Sequence, residues 1–159
     1  MIATSDFGGQ ALLLKWNQFC IENKISLFPV YLQDMIGYAG PLIIPGETAC
    51  LHCLRQRQNS NLQEVDLRNV IEKNATDGQS VAAIHPSVIG ILAHTTVFEL
   101  THFFGELPFP RPGRLIRVDL MAGITQSQLV LKIPRCAVCS TLNTTADVQL
   151  KKMTPMPGI

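Results

Sequence analysis

Two cysteine pairs constrain what this chain can fold into more than any other feature: Cys50 with Cys53, and Cys136 with Cys139. Each pair has the two-residue gap of a knuckle turn, which lets both sulfurs reach one metal ion, and two such pairs supply the four thiolates of a closed tetrahedral Zn²⁺ site. Because the pairs lie in distant parts of the chain, the ion would join two remote segments of one domain. The sequence therefore predicts a structural zinc that activates no water; the alternative is two reduced pairs without metal, or a redox pair.

The composition limits the class of protein. A chain of 159 residues fits one domain with a sizeable core. Only 16% of the residues are charged, against about 25% in an average soluble domain, which favours a buried sheet or a face that meets a partner. The net charge of +1 argues against nucleic-acid binding. No apolar run approaches the roughly 20 residues of a membrane span, and the start does not have the pattern of a signal peptide. We therefore expect a cytoplasmic protein that binds neither nucleic acid nor membrane.

Hydrophobic periodicity predicts an α/β fold for the first part of the chain. Residues 2–5 are typical of the end of a strand, residues 12–20 carry the apolar stripe of an amphipathic helix, and residues 25–32 are typical of a second strand. Strand, helix and strand in this order form a βαβ unit, which implies a sheet that is parallel at least in part. Residues 36–44 form a further strand, in which Gly37 and Gly40 mark a bend or a close backbone approach.

Residues 55–159 are predicted to contain a surface connection, a long helix, a hairpin and a tail. Residues 55–80 are polar and predict a surface connection with one helical turn near residues 67–73. Pro86 opens a long apolar helix that ends at Gly105 and is expected to be largely buried. A proline-rich loop follows at residues 107–113. Residues 115–120 and 128–133 alternate and predict an antiparallel hairpin with its turn near Gly123. Residues 141–159 are interpreted as a loose tail.

The order of these features resembles a known family. A strand ending in Asp6, a helix carrying Asn17, and the later pair of cysteine knuckles resemble the second half of the ThiF-like fold, which the ThiF and MoeB adenylyltransferases share. Residues 40–54, which read GPLIIPGETACLHCL, more closely resemble the ThiF-like domain of azoline-forming cyclodehydratases. That group includes the cyanobactin heterocyclases and the leader-peptide-binding partners of YcaO enzymes. Residues 134–139, which read PRCAVC, resemble the motif that ends this domain in the same group.

The resemblance implies the C-terminal half of a ThiF-like, Rossmann-type domain over residues 1–140, with the zinc site and a C-terminal hairpin. It also implies that the chain is truncated at its N-terminus, because family members carry a nucleotide-binding half upstream. The 159 residues contain no glycine-rich phosphate loop, so we do not expect ATP binding by this chain alone.

The function that the resemblance implies belongs to the biosynthesis of ribosomal peptides such as bacteriocins and cyanobactins. In such systems a YcaO-type cyclodehydratase uses ATP to form the heterocycle, while the ThiF-like component presents the precursor peptide and docks the YcaO partner. We expect this chain to be such a non-catalytic component, with a homodimer as a further expectation. The alternative is an enzyme: part of a ThiF- or MoeB-type adenylyltransferase that acts on a sulfur-carrier or ubiquitin-like protein.

Asp6 is the candidate for cofactor binding, since in adenylating relatives a matching aspartate helps to hold Mg²⁺ and ATP. Here Phe7 replaces the asparagine that usually follows, and Lys15 is the only cation on the next helix. We therefore interpret Asp6 as a helix N-cap or turn residue, with a vestigial nucleotide contact as the alternative. The histidines of the long helix are expected to pack or to form hydrogen bonds, and Cys20 is expected to lie in the core.

Overall fold

A five-stranded sheet, in the order β1-β2-β3-β4-β5, organises the computed structural model, which describes residues 1–6, 9–33, 35–63, 65–76, 84–107 and 112–140. The strands are β1 (Ile2–Ser5), β2 (Phe28–Gln33), β3 (Ile36–Ala39), β4 (Arg114–Asp119) and β5 (Ile124–Leu129). The helices are α1 (Gln10–Glu22), α2 (Leu51–Ser60), α3 (Val65–Thr76) and α4 (Pro86–Phe104). The predicted turn residues 7 and 8, most of the proline-rich loop and the tail at 141–159 lie outside the described residues.

The predicted βαβ unit is confirmed, and the sheet is mixed. Strand β1 pairs in parallel with β2, with Ile2 opposite Phe28, and α1 makes the crossover between them. The three remaining pairings are antiparallel. The third strand is shorter than predicted and ends at Ala39, because Gly40 has a φ of +87° that turns the backbone out of the extended conformation. Beyond it, only an isolated bridge joins Ile43 to Leu27.

Two core layers cover the sheet, one on each face. The first layer packs α1 and α2 against the sheet and includes Leu13, Leu27, Leu54, Leu115 and all four paired cysteines. The second layer packs α4 on the other face through Val88 and Leu92, against Phe28 and Val118. Gly37 permits the close approach of α4, since a Cβ at this position would lie only 2.7 Å from Leu92 Cδ1. The candidate metal ligands therefore lie inside a core layer.

The surface connection predicted at residues 55–80 is mainly helical in its described part, and the helical turn predicted near residues 67–73 lies within α3. Helix α2 starts directly after Cys50, and α3 follows it. The polar composition of this segment suggested a loop, yet arginine and glutamine are good helix formers. An ion pair from Arg55 to Glu72 joins the two helices, with Nη1 2.5 Å from Oε1, and Arg68 adds a second contact to the same carboxylate.

Helix α4 has the predicted bounds and ends at Gly105, but the expectation that it is largely buried is wrong. Val88, Leu92, Thr96 and Glu99 are buried, whereas many of its large apolar side chains are exposed. Among the described residues, α4 is the one helix whose length and apolar composition would be sufficient to cross a membrane; it has 19 residues, and its mean hydropathy reaches 1.2 in an 18-residue window. Glu99 accepts a hydrogen bond from Arg114 at 2.5 Å and links this helix to β4.

The C-terminal hairpin is confirmed, with β4 and β5 paired over six positions and Gly123 in the connecting turn at a φ of +65°. The second strand begins at Ile124, earlier than the predicted residue 128. The strand was placed too late because every side chain from Ile124 to Leu129 is exposed, so the apolar alternation that marks a half-buried strand is weak there.

Candidate metal centre

The four paired cysteines converge on one point in the core. Their Sγ atoms all lie within 4.8 Å of one another, and all four residues are buried. The sulfur of Cys50 is 3.8 Å from that of Cys53 and 3.7 Å from that of Cys136, and Cys53 lies 3.5 Å from Cys139. Sulfurs bound at about 2.3 Å around one tetrahedral Zn²⁺ would be about 3.8 Å apart. Disulfide sulfurs would be about 2.05 Å apart, so the spacing fits a metal site and excludes a bonded pair.

The first cysteine pair lies at the N-terminus of α2. Cys50 is the N-cap residue with extended backbone angles, and Cys53 lies within the first turn. The Cys53 N–H in this turn acts to lower the pKa of the Cys50 thiol, although burial outweighs it. The spacing of the first cysteine pair is therefore set by the first turn of α2.

The second cysteine pair lies in tight turns after β5. The Cys136 N–H donates to Ile133 O at 3.1 Å, and the Ser140 N–H donates to Cys136 O at 3.1 Å. The Ile133 N–H also donates to the Cys53 sulfur at 3.4 Å, which ties the two pairs together directly. A closed four-thiolate set has no position for water or substrate, so such a site is suited to holding structure.

The protein environment alone does not hold all four sulfurs in the charged form. Burial raises the pKa of the Cys50 thiol well above its usual range and that of Cys139 to about 11. At Cys136 burial also acts to raise the pKa, but the backbone N–H groups of Cys139 and Val138 and the thiols of Cys53 and Cys139 together outweigh it, so the pKa is lowered. A divalent cation supplies the positive charge that four clustered thiolates need. The donor set therefore fits Zn²⁺, which would be held by the four sulfurs.

Asn17 is a residue of this site whose role sequence reasoning missed. It lies on the buried face of α1 with Leu13 and Cys20, and its Oδ1 accepts the Leu51 N–H at 3.0 Å. It therefore satisfies an N–H in the first turn of α2, next to the first cysteine pair. Its Nδ2 is buried without a hydrogen-bond partner among the described residues. The sequence offered one signal of this role: Asn17 is a polar residue within the row of α1 that also contains Leu13 and Cys20.

Asp6, the candidate for cofactor binding, is not part of the cysteine cluster. The expectation that it is the N-cap of α1 is wrong, because Gly9 holds that position without a side-chain cap. The turn interpretation fits, since Asp6 O accepts the Gly9 N–H at 3.3 Å. The exposed Asp6 borders an open groove of about 740 Å³, whose described lining is mainly apolar and includes no lysine or arginine. A vestigial nucleotide contact stays a prediction.

The remaining candidates have ordinary structural surroundings. Cys20 is fully buried in the core, as predicted. His94 and His102 each place Nδ1 within hydrogen-bond distance of the carbonyl oxygen four residues earlier, at 2.7 and 2.8 Å. His52 contacts the Gln56 side chain at 2.9 Å, and neither it nor the other histidines belongs to the sulfur cluster.

Solved structures show where this fold occurs elsewhere. No protein-family model and no curated protein matches the chain. The heterocyclase TruD is 24% identical and matches 90% of this chain with a TM-score of 0.69. A heterocyclase in complex with substrate and cofactor is 23% identical over 87% of the chain, with a TM-score of 0.70. Escherichia coli MccB with ATP is 20% identical over 87% of the chain, with a TM-score of 0.65.

These matches cover only part of the larger proteins. The chain spans 22% of TruD, 20% of the second heterocyclase and 39% of MccB. At this level of identity the similarity establishes the fold: a mixed α/β domain of the kind found in heterocyclases, with a buried four-cysteine cluster that could bind a metal such as zinc.

Proposed function

We propose that this chain is the ThiF-like component of an azoline-forming cyclodehydratase, and that it presents a ribosomal precursor peptide and docks a YcaO-type partner. The observation that carries the proposal is the shared fold with heterocyclases over 90% of the chain. The resemblance of residues 40–54 and 134–139 to the same group supports it independently of the coordinates. In this role the four-cysteine zinc is structural, and the YcaO partner carries out the ATP-dependent chemistry.

The arrangement of side chains suits a scaffold. The metal site has four protein ligands and no open coordination position, so it provides no Lewis acid for a substrate. The described residues contain no phosphate cradle beside Asp6, whose groove has a mainly apolar lining. Such a chain would contribute binding and orientation to the complex and leave bond making to its partner.

The apolar surface of α4 is the proposed YcaO docking face. Of the apolar segment at 97–109, Leu100 and Phe103 pack against the core, so they serve the fold. Val97 is 65% exposed, Phe98 53% and Phe104 77%. Exposed apolar patches of this kind usually mark interaction sites, and the charge-poor helix fits a protein partner.

The test mixes the purified chain with a YcaO-type cyclodehydratase and a cysteine-containing precursor peptide. We expect ring formation, read by mass spectrometry as loss of one water per ring, to depend on this chain. Val97→Glu should weaken docking by about tenfold, because it places a charge in an apolar interface. The matched control is Ser87→Glu, at an exposed polar position in the first turn of the same helix, about 15 Å along the axis from Val97. Ring formation that is unaffected by omitting the chain would contradict the proposal.

The second candidate function is that of an adenylyltransferase, of which this chain would be a part. The structural match to MccB with ATP favours this candidate. The two functions predict different behaviour of the isolated chain. ATP–pyrophosphate exchange by this polypeptide alone would support adenylation and contradict the scaffold role. Absence of exchange, together with ring formation in the reconstituted mixture, would support the scaffold.

A further inference from the structure

Residues 130–133 connect β5 to the second cysteine pair, and we call them the linking segment. The side chain of Arg57, an exposed residue of α2, holds two of its carbonyl groups. Nε donates to Leu131 O at 2.8 Å, and Nη2 donates to Lys132 O at 3.4 Å. Because the guanidinium is planar and its donors are fixed relative to one another, one side chain restrains two consecutive peptide groups. The linking segment is thereby tied to the helix that begins at the first cysteine pair.

The Lys132 side chain ties the linking segment to the chain on the other side of the first cysteine pair. Its Nζ donates to Gly46 O at 2.7 Å, four residues before Cys50. Gly46 lies in a turn that is closed locally, since the Thr48 N–H donates to Ile44 O at 3.1 Å and Thr48 Oγ1 accepts the Ile44 N–H at 2.8 Å. The linking segment is therefore anchored both before and after the first pair.

The linking segment ends at the cysteine cluster. The Ile133 N–H donates to the Cys53 sulfur at 3.4 Å, and Ile133 O accepts the Cys136 N–H at 3.1 Å. One residue of the segment thus contacts both cysteine pairs through its backbone. Groups that hydrogen-bond to metal ligands orient those ligands and affect metal affinity. Restraint of the peptide groups just before Ile133 therefore restrains the position of the second pair.

The two cysteine pairs differ in how firmly the protein holds them. The first pair lies at the start of α2, where the Asn17 amide also supports the Leu51 N–H. The second pair lies in turns outside any helix or strand, and its Cys139 is 8% exposed, whereas the other three cysteines of the cluster are fully buried. Turns open locally at a lower cost in free energy than elements packed in the core. The second pair is therefore the more easily displaced of the two.

We propose that Arg57 and Lys132 are positioning residues of the metal centre, which hold the second cysteine pair against the first and so limit the rate of zinc release. Among the described contacts, neither side chain donates to a sulfur, so both act through the backbone of the linking segment. Release requires the second pair to move away from the first, and each anchor opposes that movement. This role depends on the zinc of the proposed function and is independent of the YcaO partner and of the precursor peptide.

The test measures how fast the zinc-loaded chain gives up its metal to an excess of the chromogenic chelator pyridylazoresorcinol. Arg57→Ala and Lys132→Ala should each release zinc about fivefold faster than the parent chain, because each loses hydrogen bonds that restrain the linking segment. The absorption spectrum of the cobalt-loaded variants should match that of the parent, since all four sulfur ligands remain. Circular dichroism verifies that the variants are folded.

Two further variants separate positioning from charge. Arg135 lies beside Cys136, is exposed, and makes no hydrogen bond or ion pair with another described residue. Arg135→Ala is therefore the matched control, which removes a nearby cation without removing an anchor and should release zinc at the parent rate. Arg57→Lys keeps the charge and can donate to one carbonyl group, so it should release zinc at an intermediate rate.

The possible results either support or overturn the proposal. Faster release from Arg57→Ala and Lys132→Ala, with an unchanged cobalt spectrum, would support it. Parent rates in both of these variants would overturn it, and so would equal acceleration by Arg135→Ala, which would assign the effect to charge. A parent chain that takes up no zinc would overturn the metal site as well. Failure of ring formation in the reconstituted mixture, with zinc release as expected, would contradict only the proposed scaffold function.

Discussion

Asn17 shows how much a single side chain contributes to the metal centre. Its Oδ1 is the partner of the Leu51 N–H, and both groups are buried beside Cys50 and Cys53. The amide links α1 to the start of α2, which carries the first cysteine pair. The neutral side chain also adds no further negative charge next to four clustered sulfurs.

Replacing Asn17 by alanine should lower the free energy of unfolding by about 2 kcal/mol, since the Leu51 N–H loses its buried acceptor and α2 loses a first-turn hydrogen bond. The measurement is the urea midpoint of the zinc-loaded chain. Gln18→Ala is the matched control, because Gln18 is exposed and contacts only Glu22 among the bonds described. Equal midpoints for the two variants would show that Asn17 does not support the site.

At the scale of elements, α3 is held by charge more than by apolar packing. Its Leu67, Val70 and Ile71 are exposed, whereas the Glu72 carboxylate pairs with both Arg55 and Arg68. All three of these charged side chains are less than one fifth exposed, so the pairs are screened less than surface pairs.

Glu72→Gln should therefore loosen α3 without unfolding the sheet. The expected result is amide hydrogen exchange in Val65–Thr76 about tenfold faster, while exchange in β2 and β3 is unchanged. Glu22→Gln, at an exposed position of α1, is the control. An unchanged exchange rate in α3 would mean that other contacts hold the helix.

The elements also show what sequence could predict. The βαβ unit, α4 and the hairpin were found because periodicity and turn residues mark them locally. Only part of the apolar stripe predicted at residues 12–20 is buried: Leu13 and Cys20 lie in the core with Asn17, whereas Leu12, Trp16 and Phe19 are exposed. The packing of α1 against the rest of the fold determines which row of residues is buried. Because apolar residues occupy two sides of this helix, the amphipathic pattern alone could not show which side faces the core. The convergence of the four cysteines, by contrast, was predicted from their spacing alone.

At the scale of the whole molecule, the cysteine cluster is the junction between its two halves. It joins the segment after β3 to the segment after β5, and it does so inside the core layer that also contains α1. A zinc ion bound by these four sulfurs would therefore couple metal binding to folding, because it would hold together two segments that are distant in the sequence.

Removal of zinc by a strong chelator should lower the melting temperature and partly unfold the chain, whereas the loaded protein should contain one zinc per subunit. Cys139→Ser should abolish stoichiometric zinc, while Cys20→Ser, which alters a buried cysteine outside the cluster, should retain it. Zinc content is read by elemental analysis and stability by thermal melting. Identical melting curves with and without metal would refute the structural role.

The position of the second cysteine pair has a consequence for biogenesis. Cys136 and Cys139 follow β5, so the ribosome delivers them after every strand of the sheet. Until residues 136–139 are synthesised, Cys50 and Cys53 have no second cysteine pair with which to form the cluster. Assembly of the proposed zinc site therefore depends on the zinc supply and the redox state of the cell, and a shortage of either would affect newly made chains before finished ones.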